Sequence, residues 1–104
     1  MNAVRSIPYP PTRLQARPTQ KPIHFLCQAP GASQVCLTGD FNHWHPSSLP
    51  MERGADGSWR ITIPLGHGSH HYQFLVDGHA LNDARAHGIS RNSRGDRVSL
   101  LQVS

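Results

Sequence analysis

Apolar and polar residues alternate along five stretches of the chain, with the period of two that is typical of half-buried β-strands. The five stretches, KPIHFLCQA, QVCLTGDF, SWRITIPL, SHHYQFLVDG and RVSLLQV, occupy residues 21–29, 34–41, 58–65, 69–78 and 97–103. No helical period lasts longer than two turns, and no internal repeat is present. The pattern therefore predicts an all-β fold.

The alternation also predicts which side chains are buried. Within each strand the predicted core residues share one face; they are Ile23, Phe25, Cys27, Val35, Leu37, Trp59, Ile61, Ile63, Tyr72, Phe74 and Val76. In the last stretch Val98 and Leu100 oppose Ser99, Leu101 and Val103, and the pattern leaves open which of these two faces is buried.

Two Asp-Gly pairs punctuate the strands. Asp56-Gly57 precedes the third strand and Asp77-Gly78 follows the fourth. Asp-Gly favours two-residue hairpins, in which both residues have positive φ. Strands repeated about every 10 residues with such turns indicate a β-sandwich.

The N-terminal segment differs in composition from the rest of the chain. Residues 1–20 contain four prolines and no sustained apolar face, which favours a flexible or extended arm, although Ile7, Tyr9 and Leu14 could pack on the domain. With 104 residues in all, the chain has room for one domain, which we place at residues 21–104.

Charge and cysteine content restrict the partners and the compartment. The net charge is +4, and arginine supplies nine of the ten basic residues. No aromatic residue is interleaved among the C-terminal arginines, so the pattern does not favour nucleic acid. No apolar run resembles a signal peptide or a membrane span. We expect a cytoplasmic protein whose two cysteines, Cys27 and Cys36, are reduced and buried in strands.

The most informative segment for function is the loop after the second strand. A strand ends at Gly39, Phe41 is placed to turn back onto the core, and Trp44 follows between His43 and His45. A tryptophan in such a loop either covers an apolar gap or presents a flat surface on which the C–H groups of a sugar can stack. The residues alone leave both alternatives open.

Three motifs in order resemble those of the family 48 carbohydrate-binding module. They are VCLTGDFNHWHPSSLPM, DGSWRITIPLGHGSHHYQFLVDG and GDRVSLLQV. The family includes the glycogen-binding domain of the AMP-activated protein kinase beta subunit and N-terminal domains of branching enzymes and isoamylases. The resemblance covers about residues 21–104. It implies an immunoglobulin-like (early-set) β-sandwich that binds α-1,4-linked glucan such as glycogen, starch or maltooligosaccharide.

The resemblance also implies site residues. Trp44 matches the first tryptophan platform of glycogen-binding members, whereas Ala80 stands where they carry a second tryptophan. Gln73 takes the place of a strand lysine, and Val98 that of an asparagine near the last strand. Asn92 and Arg94, in the loop before the last strand, are candidates to substitute for that asparagine, and Asn42 is a further candidate hydrogen-bonding partner. The predicted carbohydrate-binding residues are Trp44, Asn42, Gln73, Asn92 and Arg94, and weak binding is expected.

The sequence also bears on two other classes of function, a docking module and an enzyme. Some family members do not bind sugar, so the alternative is a docking or regulatory module for a partner enzyme or a kinase-like subunit. Enzyme activity is not expected, because a glycosidase needs two paired carboxylates and no such pair is evident. The histidines lack the spacing of a metal site, so neither a cofactor nor a metal is expected.

Overall fold

The structure, a computed structural model, describes residues 20–104. The predicted arm, residues 1–20, therefore lies outside the described residues except for Gln20. Within the described residues there are eight strands: β1 (Gln20–Gln28), β2 (Val35–Gly39), β3 (Glu52–Arg53), β4 (Ser58–Gly66), β5 (Gly68–Val76), β6 (His79–Leu81), β7 (Gly88–Arg91) and β8 (Arg97–Val103). A single turn of 3-10 helix, Asp40–Asn42, follows β2.

The strands form two antiparallel sheets. The order in the three-stranded sheet is β1-β4-β3, and in the five-stranded sheet β2-β5-β8-β7, with β6 also paired to β5. The core joins both sheets: Phe25 and Trp59 come from the first, and Leu37, Tyr72 and Phe74 from the second. The molecule is thus all-β and sandwich-like, as predicted. Among residues 20–104 no helix is long and apolar enough to cross a membrane.

The predicted burial pattern is confirmed along the main strands. Phe25, Cys27, Leu37, Trp59 and Phe74 are buried, and the partly buried residues Ile23, Ile61, Ile63 and Val76 pack against them. Phe41 turns back onto the core, with its ring centroid 6.1 Å from that of Phe25. In β8 Leu101 and Val103 pack into the core cluster, whereas Val98 and Ser99, on alternate faces, are both fully buried. Both faces are therefore covered at the start of this strand.

The two Asp-Gly pairs adopt different turns. Asp77 and Gly78 both have positive φ, 50° and 86°, so the two-residue hairpin between β5 and β6 is confirmed. At the other pair only Gly57 has positive φ, and the prediction is wrong for Asp56. There the chain makes a longer turn closed by hydrogen bonds from Gly54 N to Ser58 O and from Gly57 N to Gly54 O.

The two cysteines are buried and carry free thiols. Cys27 lies on the core face of β1, whereas Cys36 lies on the opposite face of β2 from Val35 and Leu37. Burial, and then the negative charge of Asp83, raise the pKa of the Cys27 thiol. The neutral thiol is therefore favoured in the folded state.

A buried tyrosine ties the core to the loop after β6. Tyr72 is 2% exposed, and its hydroxyl donates to Asp83 Oδ2 at 2.7 Å. Asp83 in turn donates its backbone N–H to Ser99 Oγ at 2.8 Å. Burial, followed by the hydrogen bond and charge of Asp83, raises the pKa of Tyr72 far above its usual range.

Tyr72→Phe should lower the free energy of unfolding by about 1.5–3 kcal/mol, the range for a hydrogen bond to a charged group. The stabilisation that depends on the neutral phenol is complete below the unfolded-state pKa of about 10 and is lost as the pH rises above it. Urea denaturation at neutral and alkaline pH measures both effects. We expect the variant to lose less stability than the wild type above about pH 10; parallel losses would contradict this role of Tyr72.

Candidate functional site

A groove of about 420 Å³ lies on the outer face of the five-stranded sheet. Its lining consists of Thr38, Trp44, Gln73, Leu75, Ala80, Asn92, Ser93, Arg94 and Asp96. Gln73 and Leu75 point outward because Tyr72 and Phe74, which alternate with them on β5, face the core. The groove thus brings together four predicted site residues, namely Trp44, Gln73, Asn92 and Arg94.

Trp44 reaches the groove through a tight turn. After the 3-10 turn the backbone of His43 and Trp44 is left-handed, with φ of 57° and 56°. The N–H of Trp44 returns to Gly39 O at 2.8 Å, which closes the turn at the end of β2. The Trp44 side chain is half-buried, so part of it is free to meet a ligand.

Asn42 is the one predicted site residue that the groove does not include. Its Oδ1 accepts from Gly39 N at 2.9 Å, and its Nδ2 donates to Ser48 Oγ at 2.9 Å and to His45 O at 3.3 Å. Both ends of the amide are therefore used within the turn. The structure places Asn42 where it supports the loop that carries Trp44.

Gln73 lies on the groove floor with its amide nitrogen engaged. Nε2 donates to Arg97 O at 3.0 Å and to Asn82 Oδ1 at 3.3 Å. Among residues 20–104 no hydrogen bond uses Gln73 Oε1. The side chain therefore offers an acceptor rather than the charged donor that a lysine would supply at this position.

The loop between β7 and β8 forms one wall of the groove. Asn92 Oδ1 accepts from Arg94 N at 2.9 Å and from Asp96 N at 3.0 Å, so the Asn92 side chain shapes the turn while its Nδ2 remains a donor. The Nε of Arg94 lies 3.6 Å from Asp96 Oδ2, and these two side chains are 81% and 60% exposed. The wall therefore presents an exposed cation and an exposed anion side by side.

Two residues that line the groove, Asp96 and Thr38, were not predicted from the sequence to contact a ligand. Asp96 reads locally as part of a turn, and that turn, shaped by Asn92, places its carboxylate beside Arg94 two residues earlier. Thr38 is buried at the base of the groove, and its Oγ1 is the buried side-chain polar atom without a hydrogen-bond partner among residues 20–104. The register of β2 against β5, which pairs Thr38 with Gln73, explains why Thr38 belongs to this surface.

Ala80 and Val98 stand where the sequence resemblance places a tryptophan and an asparagine in family members. The structure puts these two residues in different surroundings. Ala80 pairs with Leu75 across β5 and β6 and therefore lies on the outer face, where it is exposed and lines the groove. Val98 is fully buried and offers no hydrogen bond. The groove thus has one aromatic platform, and a methyl group stands where a second ring would extend it.

The groove combines one aromatic side chain with amide groups and a pair of opposite charges. Asp96 is the only acidic residue in its lining. An indole face, amide groups and one charge pair can together stack on a sugar ring and bond its hydroxyls. Among the residues that the structure describes, no three or more His, Cys, Asp or Glu side chains converge as metal ligands.

Comparison with known proteins points to the same type of ligand. The sequence profile of a family described as the glycogen recognition site of AMP-activated protein kinase matches residues 22–104. The 1,4-alpha-glucan branching enzyme GlgB of Nostoc sp. (strain PCC 7120 / SAG 25.82 / UTEX 2576) is 32% identical over 85 residues, covering 78% of this chain and 11% of the enzyme. The GlgB enzyme of Synechococcus sp. (strain CC9605) is 29% identical over 82 residues, covering 76% and 11%. The chain thus spans about a tenth of the length of these relatives.

Proposed function

Because the chain belongs to the family of the glycogen recognition site of AMP-activated protein kinase, we propose that its outer groove binds α-1,4-linked glucan and catalyses no reaction. The proposed ligand is glycogen, starch or a maltooligosaccharide. The observation that carries the proposal is the half-buried indole of Trp44 in the same groove as Gln73, Asn92 and Arg94.

The residues of the groove have separate roles in this proposal. The exposed face of Trp44 stacks on the C–H face of one glucose unit. Gln73 Oε1 accepts from a sugar hydroxyl, and Asn92 Nδ2 and the Arg94 guanidinium donate to others. Asn42 does not contact sugar and instead shapes the loop of Trp44, as its hydrogen bonds indicate.

We expect the affinity for short oligosaccharides to be low. One stacking ring contributes on the order of 1 kcal/mol beyond the area that it buries, and Ala80 lacks that ring. Val98 is fully buried and outside the groove lining, so it supplies no replacement for the polar contact that the family asparagine makes. Dissociation constants of about a millimolar are the consequence. On glycogen, many neighbouring chain ends raise the effective concentration and compensate in part.

We also propose that the sandwich has the immunoglobulin-like fold of the early-set type. The two antiparallel sheets and the family membership support an immunoglobulin-like sandwich of the early-set type. The branching enzymes among the relatives match this chain over a small part of their length, which supports a non-catalytic module.

A second candidate function is docking to a partner enzyme or a kinase-like subunit. Two observations favour it: the groove lacks a second aromatic platform at Ala80, and Leu81 and Ile89 are large apolar residues with exposures of 48% and 52%. Exposed apolar side chains are suited to contact with another protein. If the chain is such a docking module, the sandwich has the same fold but does not bind sugar.

A glycogen pull-down distinguishes the two functions. We expect the wild type to be retained on immobilised glycogen and released by maltoheptaose, and Trp44→Ala to fall to background because the stacking surface is lost. Ile89→Ala, which removes an exposed apolar side chain outside the groove lining, serves as the matched control and should be retained. Retention that Trp44→Ala leaves unchanged would contradict the proposed site.

A further inference from the structure

A carboxylate at the start of the Trp44 loop is bonded to the central strand of the sheet. Asp40 Oδ2 accepts from the backbone N–H of His71 at 2.9 Å and lies 3.2 Å from His71 Nδ1. Because a carboxylate only accepts, Nδ1 carries the proton in this contact. The other oxygen, Oδ1, lies 3.7 Å from His70 Nδ1. Strand alternation sends the two histidines to opposite faces, yet both rings approach this one carboxylate.

The segment that Asp40 begins has an uncommon backbone conformation. His43 and Trp44 are consecutive non-glycine residues with positive φ, 57° and 56°, a region that residues with a Cβ disfavour. Such a conformation persists only where the surroundings enforce it. Two hydrogen bonds tie the loop to β2, from Trp44 N to Gly39 O and from Gly39 N to Asn42 Oδ1. Others lie inside the loop, where Asn42 bonds to His45 and Ser48. The side chain of Asp40 adds the connection to β5.

Gly39, the last residue of β2, shows how closely the chain is set against β5 where the turn begins. A Cβ placed on Gly39 would lie 2.5 Å from the carbonyl oxygen of His71 and 2.7 Å from the ring of Phe41. The turn and the strand therefore touch at the residue to which Asp40 is bonded. A shift of the turn away from β5 would also move Trp44, which lies four residues after Asp40. The indole would then change its position relative to Gln73, which lies on β5.

We infer that Asp40 is a positioning residue for glucan binding, which holds the indole of Trp44 over the groove through its bonds to His71 on β5. This inference rests on the proposed function of the groove. Asp40 does not line the groove and makes no contact with sugar in this role. Its effect on affinity arises from the orientation of Trp44 alone.

Asp40→Ala tests the inference against a matched control, Asp56→Ala. Asp56 also accepts a backbone N–H, that of Ser58 at 3.1 Å, but it lies in the turn between β3 and β4 of the other sheet. We expect Asp40→Ala to weaken maltoheptaose binding about three- to ten-fold, the range for loss of a stacking contact. Asp56→Ala should change affinity less than about two-fold, because its turn is remote from the groove.

The indole N–H signals of the two tryptophans provide a readout that does not depend on sugar. In the free protein, Asp40→Ala should shift or broaden the signal of Trp44 and leave that of buried Trp59 in place. Asp40→Asn, which keeps an acceptor oxygen for the His71 N–H, should restore the Trp44 signal and most of the affinity. If the alanine variant does not fold, Asp40→Glu displaces the carboxylate by one methylene and should likewise shift the Trp44 signal.

The outcomes separate this inference from the proposed function. An unchanged Trp44 signal with unchanged affinity in Asp40→Ala would overturn the positioning role, and so would equal losses of affinity in Asp40→Ala and Asp56→Ala. A wild type that binds no maltoheptaose overturns the proposed function, and the Trp44 signal in the free protein then still decides whether Asp40 positions the ring.

Discussion

Truncation of Trp59 to alanine is expected to destabilise the domain by about 3–5 kcal/mol, the usual range for removal of a large buried aromatic side chain. Trp59 is 6% exposed, and its Nε1 donates to Ala29 O at 2.9 Å. The guanidinium of Arg53 lies 5.8 Å from its ring centre. Because a domain of this size is stable by about 5–10 kcal/mol in total, the change should remove roughly a third to all of that stability and lower the thermal midpoint strongly. Urea denaturation followed by circular dichroism measures the loss.

Trp44→Ala is the matched comparison, because the same side chain is truncated in a different environment. Trp44 is half-buried in a loop, and it does not belong to the core cluster. Its truncation should therefore cost far less stability than that of Trp59. Equal destabilisation by the two changes would mean that Trp44 covers the core and does not serve as a platform for sugar.

Ala80→Trp is expected to tighten glucan binding at least several-fold, because it supplies a second stacking ring worth on the order of 1 kcal/mol beyond its buried area. Ala80 is exposed on the outer face and lines the same groove as Trp44, so an indole there would lie beside the first platform. Calorimetric or NMR titration with maltoheptaose measures the gain. The further change Trp44→Ala should abolish it.

His79→Trp provides the control for a new indole as such. His79 lies on the same short strand, one residue before Ala80, and strand alternation places it on the opposite face. A tryptophan there should leave the affinity for maltoheptaose unchanged. If His79→Trp and Ala80→Trp tightened binding equally, the gain would come from a general increase in apolar surface and not from the groove.

The main strands could be predicted from sequence because each buries one face. Strands β3, β6 and β7 were not predicted, since they are two to four residues long and show no sustained alternation. His79–Leu81 is exposed throughout and forms a strand only because the hairpin at Asp77-Gly78 returns it against β5. The longer turn at Asp56 likewise depends on pairing between β3 and β4, which the dipeptide alone does not encode.

Part of the candidate site could also be predicted from the sequence. Trp44 and Gln73 lie in motifs whose spacing the sequence displays, and the structure brings them to one groove. The amide of Asn42 is used by its own turn, a local competition that residue type does not reveal. Asp40 contacts His71, which is distant in sequence. Asp96 is placed beside Arg94 by the geometry of its turn. Both placements therefore required the folded chain.

The measurement that tests the central claim most directly is an NMR titration of the ¹⁵N-labelled wild type with maltoheptaose, carried to several times the expected dissociation constant of about a millimolar. Binding in the groove predicts progressive shifts of the Trp44 indole N–H, the Gln73 side-chain amide and the backbone amide of Arg94. The indole N–H of Trp59, which is buried and bonded to Ala29 O, should stay in place. An absence of shifts at the highest concentration, or shifts confined to residues outside the groove, would contradict glucan binding at this site.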